Sequence, residues 1–192
     1  PVTETTELAP VIAKQPPDPI EELPPEYELD DASATWIPGY WAWDPERDDY
    51  LWVSGVWRKS PPGRRWVPGY WSEAEGGWRW TAGAWVSADL DTVTYLPPVP
   101  ETVEEGPTSE APSEDHFWVP GTWVYQSDDY AWRAGYWTPH RENWVWVPAH
   151  YVPTANGCIF VDGYWDWRGP VRGCLFAPVY YSRPIYTQPN YY

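Results

Sequence analysis

One motif, Trp-x-x-Gly-x-Trp, recurs along this chain at a fixed interval, and that recurrence constrains the fold more than any other feature. Its copies are Trp36 to Trp41, Trp52 to Trp57, Trp66 to Trp71 and Trp80 to Trp85, followed by Trp118 to Trp123, Trp132 to Trp137, Trp146 to Tyr151 and Phe160 to Trp165. The central glycines are Gly39, Gly55, Gly69, Gly83, Gly121, Gly135 and Gly163, and Ala149 takes the position in the seventh copy. Successive copies lie 14 residues apart within each group of four, except for 16 across the first step, where Asp44-Pro45-Glu46-Arg47-Asp48-Asp49 is two residues longer. A fixed short period means a repeat architecture, in which each unit buries its apolar face against its neighbours.

The residue types choose strands. Aromatics make up 19% of the 192 residues, with 18 Trp and 15 Tyr, and 25 Pro interrupt nearly every window. Trp and Tyr favour strands and carry polar handles, and no apolar run holds helical spacing beyond about one turn. Val67-Pro68-Gly69-Tyr70 has the composition of a β-turn, with proline presetting φ and glycine supplying a positive φ. This predicts that Trp66 faces Trp71 across the turn, that Arg64 then faces Glu73, and that the other copies pair likewise. The expected fold is all-β: tandem 14-residue repeats forming short-stranded antiparallel meanders, with extended Pro-rich arms.

Charge divides the chain into blocks. Of the net −16, residues 1–34 hold nine acidic side chains against Lys14 alone, and residues 88–116 hold eight with no Lys or Arg. The aromatic blocks between and after them are neutral. The expected domains are an acidic Pro-rich arm at 1–35, a four-copy block at 36–87, an acidic Pro-rich linker at 88–116, a block with a degenerate cap at 117–181, and a Tyr/Pro-rich tail at 182–192. An acidic chain repels phosphate, which makes nucleic acid an improbable partner. No stretch approaches the roughly 20 apolar residues of a spanning helix. The chain opens Pro1-Val2-Thr3 without Met, which reads as a mature chain or as a piece of something longer. An extracellular setting permits a disulfide between Cys158 and Cys174, expected to fasten a C-terminal cap after the repeat ends near Trp167.

The eight copies resemble the WXXGXW (YXWGXW) repeat family, known from small secreted or lipid-anchored envelope proteins of Gram-negative bacteria. The resemblance covers roughly residues 36–167. Trp36-Ile37-Pro38-Gly39-Tyr40-Trp41 and Trp66-Val67-Pro68-Gly69-Tyr70-Trp71 match its pattern fully; the seventh copy departs at Ala149 and Tyr151, the eighth at Phe160. The resemblance implies an envelope or surface location. It implies no enzymatic activity and no catalytic residues.

Three function classes compete. The first is a structural subunit of an extracellular filament, sheath or surface layer, with the chain itself as partner. In it, Leu8, Val11, Ile12, Ile20, Leu23 and Tyr27 of the first arm dock on a neighbouring subunit. The second is a carbohydrate-binding or adhesion module, for which Tyr40, Tyr70 and Tyr136 are the stacking candidates. The third is an enzyme, which the sequence disfavours: His116, His140 and His150 are isolated, and no cofactor motif or metal-ligand spacing occurs. Asp44, Asp48 and Asp49, or Asp128 and Asp129, read as polar turns rather than a calcium site.

Overall fold

The computed structural model describes residues 7–22, 34–172 and 174–176. The fold is all-β, with one four-residue helical turn at Gly169–Arg172. The short antiparallel strands combine into four long hairpins, and each hairpin contains two copies of the motif. In the first, Ala34–Ile37 pairs with Val56–Lys59 and Tyr40–Asp44 pairs with Asp49–Val53. One register runs through both pairs, setting Trp36 opposite Trp57 and Trp41 opposite Trp52. The second hairpin spans Arg64–Val67, Tyr70–Ala74, Gly77–Thr81 and Ala84–Ser87. The third spans His116–Val119, Thr122–Gln126, Asp129–Arg133 and Tyr136–Pro139. The fourth spans Trp144–Val147, His150–Thr154, Gly157–Val161 and Tyr164–Trp167.

The Pro-Gly step is therefore not a turn. Trp66 lies opposite Trp85, and Trp71 lies opposite Trp80. Arg64 faces Ser87, and Glu73 faces Trp78. Each strand passes straight through its glycine, leaving a two-residue gap in the ladder that we call the waist. The reversal comes at the polar segments instead. At the third hairpin's tip, Ser127 (φ 51°) and Asp128 (φ 63°) both adopt left-handed backbone, the geometry a two-residue hairpin turn requires. The first tip needs four residues, Pro45 to Asp48, which accounts for the longer first step. Its carboxylates serve the turn itself: Asp44 Oδ1 accepts from Glu46 N, and Asp49 Oδ1 from Tyr50 N.

Two cross-strand tryptophan pairs flank almost every waist. Ring centroids lie 5.5 Å apart for Trp36–Trp57, 5.2 Å for Trp66–Trp85 and 5.3 Å for Trp123–Trp132. Such tilted and edge-to-face pairs contribute about 0.5–1.5 kcal/mol each beyond burial. Aromatic pairs thus do the work that aliphatic layers do in other sheets.

The hairpins form two equivalent modules. Trp71 Nε1 of the second hairpin donates to Trp41 O of the first (2.8 Å), and Tyr151 Oη of the fourth donates to Trp123 O of the third (2.7 Å). Trp71 and Tyr151 occupy the same motif position, as do Trp41 and Trp123, so the same contact joins both pairs. The two modules then share a core in which Ile37 and Val56 of the first hairpin pack with Trp85 of the second and with Val152, Ile159 and Val161 of the fourth. A buried ion pair crosses the same boundary, Arg58 Nη2 to Asp166 Oδ1 at 2.6 Å. Trp167 Nε1 donates to Ser60 O (3.1 Å). The repeat ends with Tyr164–Trp167. After the helical turn, Cys174–Phe176 joins Val56–Lys59 as a third strand.

Two further expectations change here. Cys158 is a buried free thiol, so it forms no disulfide with Cys174. Its strand pairs with His150–Thr154 while that of Cys174 lies on the first hairpin, so the two cysteines belong to different sheets. The first arm lies on its own chain: Val11 and Ile12 pair with Arg79 and Trp78 as an added edge strand. Ile20 is half-buried and Leu8 is exposed; Leu23 and Tyr27 fall outside the described residues.

Candidate functional site

The waists are where the chain's chemistry concentrates. None of the motif glycines has a positive φ among those the backbone requires. Their need for glycine is steric. A Cβ on Gly39 would come within 2.6 Å of Trp52 Cζ2, far inside carbon–carbon contact distance. The same overlap recurs between Gly55 and Trp36, Gly69 and Trp80, Gly83 and Trp66, Gly121 and Trp132, Gly135 and Trp118, and Gly163 and Trp146. Each of the first three waists thus seats the edge of two indole rings on two bare backbones. In the fourth hairpin Phe160 lies opposite Tyr151, at the motif position whose tryptophan in the other hairpins seats on the glycine that Ala149 replaces. The extra methyl thus coincides with a ring smaller than indole at the seating position, so the two departures from the pattern compensate each other.

Seating a ring on the glycine leaves the backbone N–H groups of the waist without ladder partners, and buried N–H groups need acceptors. Glutamates supply them. Glu22, from the first arm, accepts from Gly39 N (3.1 Å), from Gly55 N (2.8 Å) and from Trp52 Nε1 (2.9 Å). Glu104, from the segment between the blocks, accepts from Gly121 N (2.6 Å) and Trp118 Nε1 (2.9 Å). Hydrogen bonds to an ionised acceptor are roughly twice as strong as neutral ones.

Each glutamate ends a strap that follows the same course. In the first module Tyr50 Oη donates to Lys14 O (2.7 Å) and Trp41 Nε1 to Asp18 O (2.9 Å) before Glu22 reaches the waist. In the second, Tyr130 Oη donates to Pro97 O (2.6 Å) and Trp123 Nε1 to Glu101 O (2.9 Å) before Glu104 does so. The donors are the same motif positions. Upstream, each strap also touches its module's other hairpin: Ile12 pairs with Trp78, and Leu96 exchanges two backbone hydrogen bonds with Cys158 (2.8 and 2.9 Å). A Pro-rich strap has few amides to pair and many carbonyls to offer. Ring donors on the hairpin read those carbonyls, so the straps order without burying much apolar surface.

Sequence reasoning placed the tryptophans and glycines in one register but missed Glu22 and Glu104. The signal available was the recurrence of a Pro-Ile-Glu-Glu or Pro-Glu-Thr-Val-Glu run ahead of each block. Of the tyrosine candidates, Tyr40 is stacked on Trp80 at 4.9 Å, whereas Tyr70 and Tyr136 are 43% and 48% exposed. Among the described residues no group of three His, Cys, Asp or Glu is placed to hold a metal, and no helix is long and apolar enough to cross a membrane.

The family model described as WXXGXW repeat (2 copies) matches residues 35–58, 62–86, 114–138, 128–150 and 159–173. The first three matches each coincide with one hairpin, so the two-copy unit of that family is the folding unit seen here. No curated protein and no solved structure matches the chain.

Proposed function

This chain belongs to the WXXGXW repeat family, and from that premise we propose that it is a non-enzymatic structural subunit of an extracellular assembly, a filament, sheath or surface layer of the cell surface or outer envelope. The observation that carries this reading is the repeated strap. One chain holds both an acidic Pro-rich strand and the hairpin that receives it, twice over. An element bound to its own module by a repeated donor set can be exchanged between copies without new chemistry, which is the logic of domain swapping. The neutral blocks tolerate close approach, and the acidic straps set the partner: they suit the hairpins of a second copy and disfavour nucleic acid.

Electron microscopy and light scattering of the full chain, beside a chain lacking residues 1–29, test the reading. Ordered polymers from the full chain and their loss in the truncated one support strap exchange. Equal polymerisation of both chains removes it. A second reading is a polysaccharide-binding or adhesion module. Tyr70 and Tyr136, at equivalent motif positions and exposed in both, favour it. Retention on polysaccharide resin that is lost in Tyr70→Ala/Tyr136→Ala, with no polymer formed, selects that reading over the first.

A further inference from the structure

The four waists are not equally filled. The first holds Glu22 and the third holds Glu104. In the fourth, Asp162 Oδ1 accepts from Gly163 N at 2.8 Å, and Ala149 removes the second glycine. The second hairpin has both glycines, Gly69 and Gly83, and their amides have no acceptor among the described residues. The two backbones lie close: a Cβ on either glycine would come 2.8 Å from the other's nitrogen. A cavity of about 420 Å³ opens on this waist, lined by Gly69, Gly83 and Trp80 and closed by Tyr40 and His150. No acidic residue lines it.

We propose that the waist of the second hairpin is a socket for a glutamate carboxylate carried on an acidic, proline-rich strand of a second copy of this chain. Two filled sockets of the same construction define the ligand. Each takes a glutamate on a Pro-rich strand, and in each the carboxylate spans a glycine amide and an indole N–H. The second waist presents the same two glycines and the same pair of tryptophan positions. Its place between the first, second and fourth hairpins puts it at the boundary of the two modules. A pair of half-buried amides facing a cavity is a ready-made demand for an acceptor. A carboxylate from outside meets that demand. Free carboxylate offers the same atoms, and only a strand adds the carbonyls and the shape.

The test titrates dilute full-length chain, labelled with ¹⁵N at glycine, with three probes. These are the peptide Gln15 to Pro25, the same peptide with Asp18→Asn, Glu21→Gln and Glu22→Gln, and sodium acetate. The expected result is a saturable downfield shift of the Gly69 and Gly83 amides with the acidic peptide, about tenfold or more tighter than with the amidated peptide or acetate. Gly39, Gly55 and Gly121 serve as internal controls, because their acceptors are already seated. Three outcomes overturn the proposal: no shift at Gly69 and Gly83, equal shifts with the amidated peptide, or saturation by acetate as readily as by peptide. Shifts confined to Gly39 and Gly55 overturn it as well, since they report displacement of the chain's own strap. The inference rests on the assembly reading for the source of its strand, and the two fail separately. Peptide binding by a chain that forms no polymer keeps the socket and removes the assembly, whereas polymers without peptide binding remove the socket.

Discussion

The Cζ2 edge of Trp66 lies 2.4 Å from where residue 83 would carry its Cβ, and with Gly69 N only 2.8 Å away on the other backbone it leaves room for glycine alone. The backbone there is ordinary, so the constraint is space. Replacing Gly83 with Ala must push the Trp66 ring away from the waist and from its partner Trp85. Overpacking of this kind costs about 1–3 kcal/mol, measurable as a lower urea midpoint. Trp66→Phe in the same chain should return part of that loss, because a smaller ring leaves room for the methyl. Ala149 with Phe160, which take the glycine and seated-ring positions in the fourth hairpin, is the natural form of that double change. Gly83→Ala with unchanged stability would show that the ring can move freely.

Glu104 offers the second prediction. Its carboxylate joins the strap to Gly121 N and Trp118 Nε1 at 2.6 and 2.9 Å. Glu104→Gln keeps the size, removes the charge and turns an NH₂ toward a donor. A loss of about 1–3 kcal/mol is expected, together with faster proteolysis within residues 95–115. Glu105→Gln, at an exposed neighbour, should change neither. Equal protection of the strap in both variants would mean that the ring-to-carbonyl hydrogen bonds hold it alone.

The period, the all-β class and the identity of the stacked aromatics were legible because each is written locally. Trp36, Trp41 and Gly39 recur at fixed spacing, and spacing survives any choice of partner strand. What spacing cannot reveal is which copy faces which. A Pro-Gly step between two aromatics is as consistent with a turn as with a strand crossing a waist. Only the asymmetry of the other connections could have decided it, since Ser127-Asp128 closes a tip while Arg141 to Asn143 links two hairpins. The straps were hidden for a related reason. Pro and Glu runs read as solvated segments because burial is the usual source of order, and here order comes from Tyr50, Trp41 and Trp52 donating to the strap. The expected bridge between Cys158 and Cys174 relied on a cap folding back on the last repeat, whereas Cys174–Phe176 pairs with Val56–Lys59 of the first hairpin, a partner that no local spacing announces.

The buried ion pair supports a third prediction. Arg58 is fully buried, its side chain lies 4.8 Å over the Trp85 ring, and its guanidinium meets Asp166 at 2.6 Å. Arg172 approaches the other carboxylate oxygen at 3.3 Å. Burial lowers the Arg58 pKa, while Asp166 acts to raise it. Asp166→Ala leaves a buried cation with its main partner gone. Removing one partner of such a pair costs about 3–5 kcal/mol, so thermal unfolding should shift down strongly and the contact between the first and fourth hairpins should loosen. Replacing both residues by apolar ones, Arg58→Met with Asp166→Leu, should cost far less. If Asp166→Ala is as mild as the double change, water reaches this site and the pair is not a dry one.

His150 sets a pH dependence at the wall of the open waist. Burial lowers its pKa from the ordinary value near 6.5, nearby Arg64 lowers it further, and the Nδ1–H bond to Pro148 O (3.0 Å) opposes them. The net direction is down, so the folded chain holds this imidazole neutral where the unfolded chain begins to bind a proton. With the folded pKa below the unfolded one, the unfolded state takes up more protons in the window between them, and stability falls as pH falls. The contribution is fully present above about pH 6.5 and is lost as pH drops through that value toward the lower folded pKa. Urea unfolding at intervals between pH 7.5 and 5 should therefore show a decline that begins near pH 6.5, above the range in which carboxylates titrate. His150→Gln, which keeps a donor for Pro148 O but cannot be protonated, should flatten that part of the curve. A decline of the same size in His150→Gln would show that His150 does not set it, and the neutral wall of the second waist would then play no part in how the protein responds to acid.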